Sequence, residues 1–343
     1  MNKSNGILVI GGTGFIGYHI VSALLEAGCS VGVMCRNAEK AKELFSDRAT
    51  IISADINTLH TSDYIELLRD FDSVVFAAGA DERSKVQGDA SEFFYRANVW
   101  PCEQLFAAVP QTNIKRAVLL SSIFAWLVRQ KPDMDLMRHH PYIRSRVLQN
   151  SAAHSAIKSS DCILNTLEIP WIFGSSPHQI SQWSGLVNYV RGAVPLRCIR
   201  GGANMMSVQG VARAALGALR YPKHSGTMPI GDENVSYIGL MQRLSAIAGR
   251  AGVRVSPVSD GFFQDLTALG NYFSEKFGMQ GGIDLRHMSD LLLMDIFFDP
   301  ADAQRQLHYA GGDLAQALHA TVSAVPEGVL MKGWRRGLRW LGQ

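Results

Sequence analysis

The sequence predicts an α/β protein with a doubly wound parallel sheet and a smaller C-terminal lobe. Short apolar runs typical of strands alternate with helical patterns along the first half of the chain, and such alternation implies a parallel sheet. A glycine-rich turn stands between the first strand and the first helix. The chain has 343 residues, of which 47% are hydrophobic and 18% charged. These values are typical of a globular protein with a large core.

Composition and charge exclude several classes of protein. The net charge is only +3 and no long basic run occurs, so we expect no nucleic-acid partner. The five cysteines are scattered without a CxxC pair, which predicts neither a disulfide framework nor a zinc site. A strand-like run begins within a few residues of the N-terminus, and no apolar run reaches about 18 residues. We therefore expect a cytoplasmic protein with reduced thiols, no metal site, no signal peptide and no integral membrane segment.

The stretch GILVIGGTGFIGYHIVSALLEAGCSVGVMCRN, residues 6–37, has the order strand, glycine turn, helix, strand. The first strand is predicted over Ile7–Ile10, an amphipathic helix extends to Ala27, and the second strand is predicted over Ser30–Met34. A glycine pattern alone is weak evidence, but between a strand and a helix it strongly indicates a dinucleotide site. The alternative is a glycine-rich turn without a ligand.

Three glycines of this turn have separate physical roles. Gly11 permits the tight turn, Gly14 lets a diphosphate approach the backbone, and Gly17 lets the helix pack closely on the sheet. The diphosphate is expected on the free N–H groups at the helix N-terminus. The predicted cofactor positions of the turn are Gly11, Thr13, Gly14, Phe15, Ile16 and Gly17.

The end of the second strand indicates the type of cofactor. NAD-binding sheets usually carry an acidic residue there, but this chain has Cys35, Arg36 and Asn37, followed by Lys40. A guanidinium group attracts a 2′-phosphate and can stack on adenine. Arg36 and Lys40 therefore favour NADP over NAD, although NAD stays possible if Arg36 is a solvated loop residue.

Further strands are predicted in the runs ATIISADI, DSVVFAAGA, RAVLLSS and DCILNTLEIPWIFG. Between and after them, helices are predicted over Tyr64–Arg69, Glu92–Val109 and Tyr142–Ser159. Asp55, Ala77–Gly79 and Ser122 fall at the carboxyl ends of these strands, which is where ligands bind in such sheets.

The alternation of strands and helices breaks down after about residue 174. We predict a nucleotide-binding domain over residues 1–174 and a substrate-binding lobe over 175–343, partly interleaved with the first. Helices are expected over Val208–Leu219 and Tyr237–Ala248, and the basic tail at 331–343 is predicted to be a packed or frayed helix rather than a membrane contact. An apolar cavity is suggested by Phe124, Trp126, Trp171, Trp183, Phe262 and Phe263, although each alone is more often a core residue.

Seven of these segments together resemble the extended short-chain dehydrogenase/reductases, the NAD-dependent epimerase/dehydratase family. They are GGTGFIG, Asp55 with Ile56, FAAGA, Asn98, LLSSIFA, PYIRSR and LEIPWIFG. The resemblance covers most of the chain and implies a Rossmann-type fold. It also implies cofactor contacts from Asp55, Ile56, Ala77, Ala78, Gly79, Asn98, Tyr142, Arg146, Ile169, Pro170 and Trp171, and a homodimer in which the helices of Glu92–Val109 and Tyr142–Ser159 pair.

Two positions depart from the family pattern. Arg146 stands where the YxxxK box has lysine, and Glu168 stands where the sixth-strand motif has arginine. The resemblance therefore indicates an atypical branch.

The PYIRSR segment carries the predicted catalysis. Tyr142 and Arg146 are four residues apart and share one helix face. A tyrosine is a poor acid near neutral pH unless its anion is stabilised, and Arg146 supplies a permanent positive charge for this. Arginine cannot readily release a proton, so a proton relay through position 146 is impaired. Ser122 is predicted to bind the substrate oxygen, with a one-residue uncertainty against Ser121.

These observations predict an NADP-dependent oxidoreductase acting on a carbonyl or hydroxyl group of a small, fairly apolar molecule. One alternative is a nucleotide-sugar epimerase or dehydratase, for which Arg191, Arg197 and Arg200 could bind a second diphosphate. Another is an NAD(P)-binding sensor protein without turnover, which the arginine at position 146 suggests.

Overall fold

The computed structural model describes residues 6–193, 195–277 and 279–326. The strands of this part of the chain are β1 Gly6–Ile10, β2 Val31–Cys35, β3 Thr50–Ser53, β4 Phe71–Phe76, β5 Lys85–Gln87, β6 Arg116–Ser122, β7 Ile163–Ile169, β8 Trp171–Phe173, β9 Leu196–Cys198, β10 Gly202–Ser207, β11 Gly226–Pro229, β12 Glu233–Ser236, β13 Val255–Pro257, β14 Met279–Gly281 and β15 Asp295–Ile296. Its α-helices are α1 Phe15–Glu26, α2 Ala38–Phe45, α3 Thr61–Leu67, α4 Ala90–Phe94, α5 Trp100–Ala108, α6 Ile123–Gln130, α7 Leu136–His139, α8 Pro141–Ala156, α9 Ser184–Gly192, α10 Val208–Arg220, α11 Tyr237–Ile247, α12 Asp260–Lys276, α13 Met288–Leu292, α14 Ala301–Leu307 and α15 Leu314–Ser323. The basic tail lies outside the described residues, and its helix stays a prediction.

The central sheet is parallel throughout. Within the described residues it has seven strands in the order β11-β7-β6-β4-β1-β2-β3. The chain moves outward from β1 to β3, then returns to β4 on the other side of β1, so the strand order reverses there. Ligands bind at the carboxyl edge beside such a reversal.

Helices cover both faces of this sheet. On one face α1 and α10 lie together, and Ile20, Leu24 and Val211 are buried in the layer between them and the strands. On the other face α3, α5 and α8 bury Leu105 and Phe106 against the strands. The predicted doubly wound α/β fold is therefore confirmed.

A second lobe is built mainly from the C-terminal half. Within the described residues it contains three small sheets, in which β10 pairs with β12, β8 and β15, β9 pairs with β13, and β5 pairs with β14. Its core includes Phe173, Leu196, Met205 and Tyr237, all buried. The two halves interleave, since β11 joins the central sheet beside β7 and α10 covers one of its faces. The domain boundary at residue 174 stays a prediction.

Two elements differ most clearly from the sequence-based expectation. The run DCILNTLEIPWIFG forms two strands, because Pro170 has no N–H and interrupts the ladder, and Trp171–Phe173 pairs with β10 in the other lobe. The helix expected over Glu92–Val109 begins at Ala90 and contains a π-helical segment over Tyr95–Val99. No helix among the described residues has the length and hydropathy needed to cross a membrane.

Candidate active site

A cleft of about 550 Å³ follows the carboxyl edge of the sheet where β1, β2, β3 and β4 end. This volume lies within the range of small-molecule and cofactor sites. Ten of the predicted cofactor positions line it: Gly11, Thr13, Gly14, Arg36, Lys40, Asp55, Ile56, Ala77, Ala78 and Gly79.

The glycine turn closes one side of this cleft. Gly11 has a φ of +83°, and a Cβ built on it would lie 2.9 Å from the carbonyl oxygen of Ala77. A Cβ on Gly17 would lie 2.2 Å from the carbonyl oxygen of Gly11, so the helix can approach the turn only without a side chain there. Gly14 is the N-cap of α1, and no described side chain caps this helix end. The first N–H groups of α1 therefore remain available to an anionic ligand.

The far end of the cleft carries two cations and one carboxylate. Arg36 follows β2 directly and is exposed, and Lys40 lies in the first turn of α2. Asp55 follows β3, and its Oδ1 accepts hydrogen bonds from the backbone N–H and the side-chain amide of Asn57, at 3.0 and 3.1 Å. The carboxylate is thus held in place by Asn57 and lines the same cleft as the two cations.

Asn98 does not line the cleft but holds its wall. The backbone N–H of Ala80 donates to Asn98 Oδ1 at 2.8 Å, and Asn98 Nδ2 donates to the carbonyl oxygen of Ala80 at 3.2 Å and to Ser145 Oγ at 3.0 Å. The π-helical segment that contains Asn98 directs this fully buried side chain inward. Such segments often occur at functional sites. Asn98 therefore ties the loop after β4 to α8, which carries Tyr142.

A second cavity, of about 480 Å³, adjoins the cofactor cleft. Gly14 and Ala77–Gly79 line both spaces, so the two form one continuous site. The remaining predicted positions that line the second cavity are Phe15, Ile16, Ser122, Tyr142, Arg146, Ile169, Pro170 and Trp171.

Tyr142 and Arg146 lie on adjacent turns of α8. The guanidinium carbon of Arg146 is 5.3 Å from the centre of the Tyr142 ring, and its Nη1 donates to Gln149 Oε1 at 2.8 Å. Its Nε is buried and has no hydrogen-bond partner among the described residues. Burial raises the pKa of the Tyr142 phenol, while the charge of Arg146 acts against that shift. Tyr142 is therefore protonated at neutral pH in this structure.

Ser121 and Ser122 both border the second cavity. Ser122 Oγ accepts a hydrogen bond from the backbone N–H of Phe124 at 3.3 Å and so caps α6. The hydroxyl of Ser121 is buried and has no partner in the described part of the chain. Both serines are therefore candidates for binding the substrate oxygen.

The unusual Glu168 is paired within the fold. Its carboxylate is fully buried and accepts two hydrogen bonds from Arg129 of α6, at 2.8 and 2.7 Å. Burial raises the pKa of Glu168, and Arg129 opposes this shift. Arg129 therefore supplies the positive charge at this place, and Glu168 is its partner rather than a ligand-binding group.

Apolar side chains form most of the cavity wall. Phe124, Trp171 and Trp183 line it as the sequence suggested, together with Leu291 and Leu292. The suggestion was wrong for three aromatic residues that lie outside the lining, namely Trp126, Phe262 and Phe263. Phe262 is 61% exposed on α12.

The arginines considered for a second diphosphate lie elsewhere. Arg191 donates to the carbonyl oxygens of Val322 and Val325, and Arg200 pairs with Asp260. Neither these two nor Arg197 lines the cavity. The positive charges that do line it belong to Arg83 and Arg146.

Some residues of the candidate site could not be predicted from any pattern in the sequence. Gln179 Nε2 donates to the carbonyl oxygen of Thr13 at 2.8 Å and places a distant loop across the glycine turn. Glu82, in the loop after β4, lines the second cavity. Ile283 closes the same cavity from a segment of the second lobe. These contacts arise from long-range packing, which local patterns do not encode.

Comparison with known proteins agrees with this geometry. Residues 11–179 match a family model described as NAD(P)H-binding. This part of the chain is therefore similar to NAD(P)H-binding domains. Within it lie the glycine turn, the cofactor cleft, Tyr142 and Arg146.

One curated relative covers most of the chain. It is a putative dihydroflavonol 4-reductase from Synechocystis sp., 26% identical over 259 residues, which are 70% of this chain and 72% of the relative. The predicted resemblance to reductases agrees with this relative.

Solved structures share the fold. The protein gox2253 superposes with a TM-score of 0.76 at 18% identity, over 93% of this chain and 97% of that one. The UDP-N-acetylglucosamine 4-epimerase of Bacillus cereus gives a TM-score of 0.67 at 17% identity, over 93% and 96%. The UDP-glucuronic acid 4-epimerase of Bacillus cereus, solved with UDP-glucuronic acid and NAD, gives 0.65 at 18% identity, over 93% and 98%.

Proposed function

We propose that the protein reduces a carbonyl group of a small, fairly apolar molecule with NADPH. The observation that carries the proposal is the cavity in which Ser122, Tyr142 and Arg146 meet, because it opens directly into the cofactor cleft. The relative described as a putative dihydroflavonol 4-reductase supports the same class of reaction.

Tyr142, Ser122 and Arg146 have separate roles in the reduction. Bound NADPH would supply a hydride to the carbonyl carbon. Tyr142 donates its phenolic proton to the carbonyl oxygen, where negative charge develops, and Ser122 donates a hydrogen bond to the same oxygen. Arg146 stabilises the resulting tyrosinate by its charge, and its buried, unpaired Nε is available to a ribose hydroxyl.

The protonation state of Tyr142 favours the direction of reduction. Burial raises the pKa of its phenol, so the acid form is present throughout the neutral range. Oxidation of an alcohol would need the tyrosinate, and would therefore need a higher pH or a further cation near the ring.

The adenosine end of the cleft supports NADP rather than NAD. Arg36 and Lys40 both border the cleft directly after β2, where an acidic residue would repel a 2′-phosphate. Asp55 follows the next strand, β3, and is available to the adenine side of either cofactor. A cytoplasmic homodimer that pairs the α5 and α8 helices is part of the same proposal.

The alternatives have less support. A nucleotide-sugar epimerase needs cations for a second diphosphate, and Arg191 and Arg200 are engaged elsewhere. The argument for a sensor without turnover is the position of Arg146. Its guanidinium lies over the Tyr142 ring and donates a hydrogen bond to Gln149, rather than to a catalytic group. Turnover measurements separate these functions.

Oxidation of NADPH in the presence of benzaldehyde, hexanal and a dihydroflavonol tests the proposal. The wild-type protein is expected to oxidise NADPH with at least one of them, and Tyr142→Phe is expected to lose at least about a hundredfold of that rate while still binding NADPH. An unchanged rate in Tyr142→Phe contradicts the assignment of the acid. Tight NADPH binding without turnover, unrestored by Arg146→Lys, supports the sensor instead.

A further inference from the structure

The loop after β4 brings a carboxyl group into the substrate cavity. Glu82 lines this cavity together with Tyr142 and Arg146, and it is half-buried. Asp81 and Arg83 on either side of it form an ion pair with each other. Among the described side chains, Glu82 itself has no ion-pair partner within 4.0 Å, so no salt bridge fixes its carboxyl in the ionised form.

The fold holds this loop against the helix that carries Tyr142. β5 follows the loop and pairs with β14, which leads into Gly282. The backbone N–H of Tyr142 donates to the carbonyl oxygen of Gly282 at 3.0 Å. A Cβ built on Gly282 would lie 2.9 Å from Tyr142 Cβ and 3.0 Å from the carbonyl oxygen of Glu82. Only glycine therefore permits this close approach of the three segments.

Glu82 is placed to return a proton to Tyr142, which Arg146 cannot do. After each reduction Tyr142 is a buried tyrosinate that must regain a proton before the next turnover. Arg146 cannot supply it, because a guanidinium group does not release its proton at accessible pH. A carboxyl group can, and burial raises the pKa of Glu82 above its ordinary value.

We propose that Glu82 is the proton-relay residue of this site and acts through Tyr142. The Glu82 carboxyl transfers its proton through a bridging water in the cavity to the Tyr142 oxygen after the product alcohol has formed. The resulting carboxylate then takes a proton from water at the mouth of the cavity. No electrons move in this step, since the hydride has already been transferred. The inference rests on the proposed reductase function.

Two kinetic regimes distinguish a relay from a structural role. Tyr142 begins protonated, so the first hydride transfer does not need Glu82. In single-turnover stopped-flow measurements with protein in excess of NADPH, Glu82→Gln is expected to match the wild type. Its steady-state kcat is expected to fall about tenfold on the carbonyl that the wild type reduces fastest. Glu82→Asp is expected to recover part of the loss, and added formate is expected to restore Glu82→Ala.

The pH profile gives a second readout. A relay acid must be protonated, so the wild-type steady-state kcat is expected to decline as pH rises through the elevated pKa of Glu82. This decline should be missing in Glu82→Gln.

Two results would overturn the relay alone. One is a Glu82→Gln variant whose steady-state kcat and pH profile equal those of the wild type. The other is an equal loss of rate in single-turnover and steady-state measurements. Wild-type protein that oxidises no NADPH with any of the three carbonyls overturns the reductase function, and the relay with it.

Discussion

At the scale of single residues, we propose that Arg36 determines the choice of cofactor. It is exposed, borders the cleft and follows β2, where NAD-binding sheets usually carry an acidic residue. Hydrogen bonds between a guanidinium and a phosphate are among the stronger polar contacts. Arg36→Ala should therefore weaken NADPH binding by about 10- to 100-fold and leave NADH binding almost unchanged. Fluorescence titration with both cofactors measures this difference.

The matched control for Arg36 is Lys42→Ala. Lys42 lies on α2 close in sequence, pairs with Glu39 and does not line the cleft. Its loss should leave both affinities unchanged. Equal binding of NADH and NADPH by the wild type, together with no effect of Arg36→Ala, contradicts the preference for NADP.

Sequence patterns predicted most residues of the candidate site, because these residues follow the ends of strands. Gly11, Asp55 and Gly79 could be placed at the cleft since parallel strands end at one edge. Glu82 could not be placed, because its position depends on the pairing of β5 with β14, strands almost 200 residues apart in the chain. The partner of Glu168 was also hidden, since Arg129 lies on a helix with no recognisable motif.

At the scale of elements, the Arg129–Glu168 pair joins α6 to β7. The Glu168 side chain has no exposed surface, whereas that of Arg129 is 49% exposed. Removing one partner of a buried pair leaves an uncompensated charge. Arg129→Met should lower the free energy of unfolding by about 2–3 kcal/mol, measured by urea denaturation.

An exposed ion pair is the control for the stability cost predicted for Arg129→Met. Arg138 and Asp135 are 79% and 57% exposed, and Arg138→Met should cost less than about 1 kcal/mol. The double variant Arg129→Met with Glu168→Leu should regain much of the loss, because no charge then stays buried. Arg129→Met with stability equal to that of Arg138→Met would show that the buried pair contributes little.

Element boundaries were predictable where local chemistry decides them. RAVLLSS coincides with β6, and Val208 begins α10 after the N-cap Ser207. Pro170 shows the limit of such patterns, since the run around it reads as one strand but serves two sheets. The π-helical segment at Asn98 is a packing effect that periodicity does not reveal.

At the scale of the whole molecule, the two lobes meet over the carboxyl edge of the central sheet. The first lobe supplies the glycine turn and Tyr142, and the second supplies Ile283 and Leu291 to the cavity wall. The alternation of strands and helices was sufficient to predict the first lobe. The second lobe has short strands and few motifs, so its arrangement depends on contacts that only the folded chain reveals.

A crystal structure of the full chain with NADP⁺ tests the central claim most directly. We predict electron density for the diphosphate at the first N–H groups of α1, for the 2′-phosphate beside Arg36 and Lys40, and for the nicotinamide next to Tyr142. A cleft that stays empty at saturating NADP⁺, or a cofactor whose nicotinamide lies away from Tyr142, would contradict the proposed reductase.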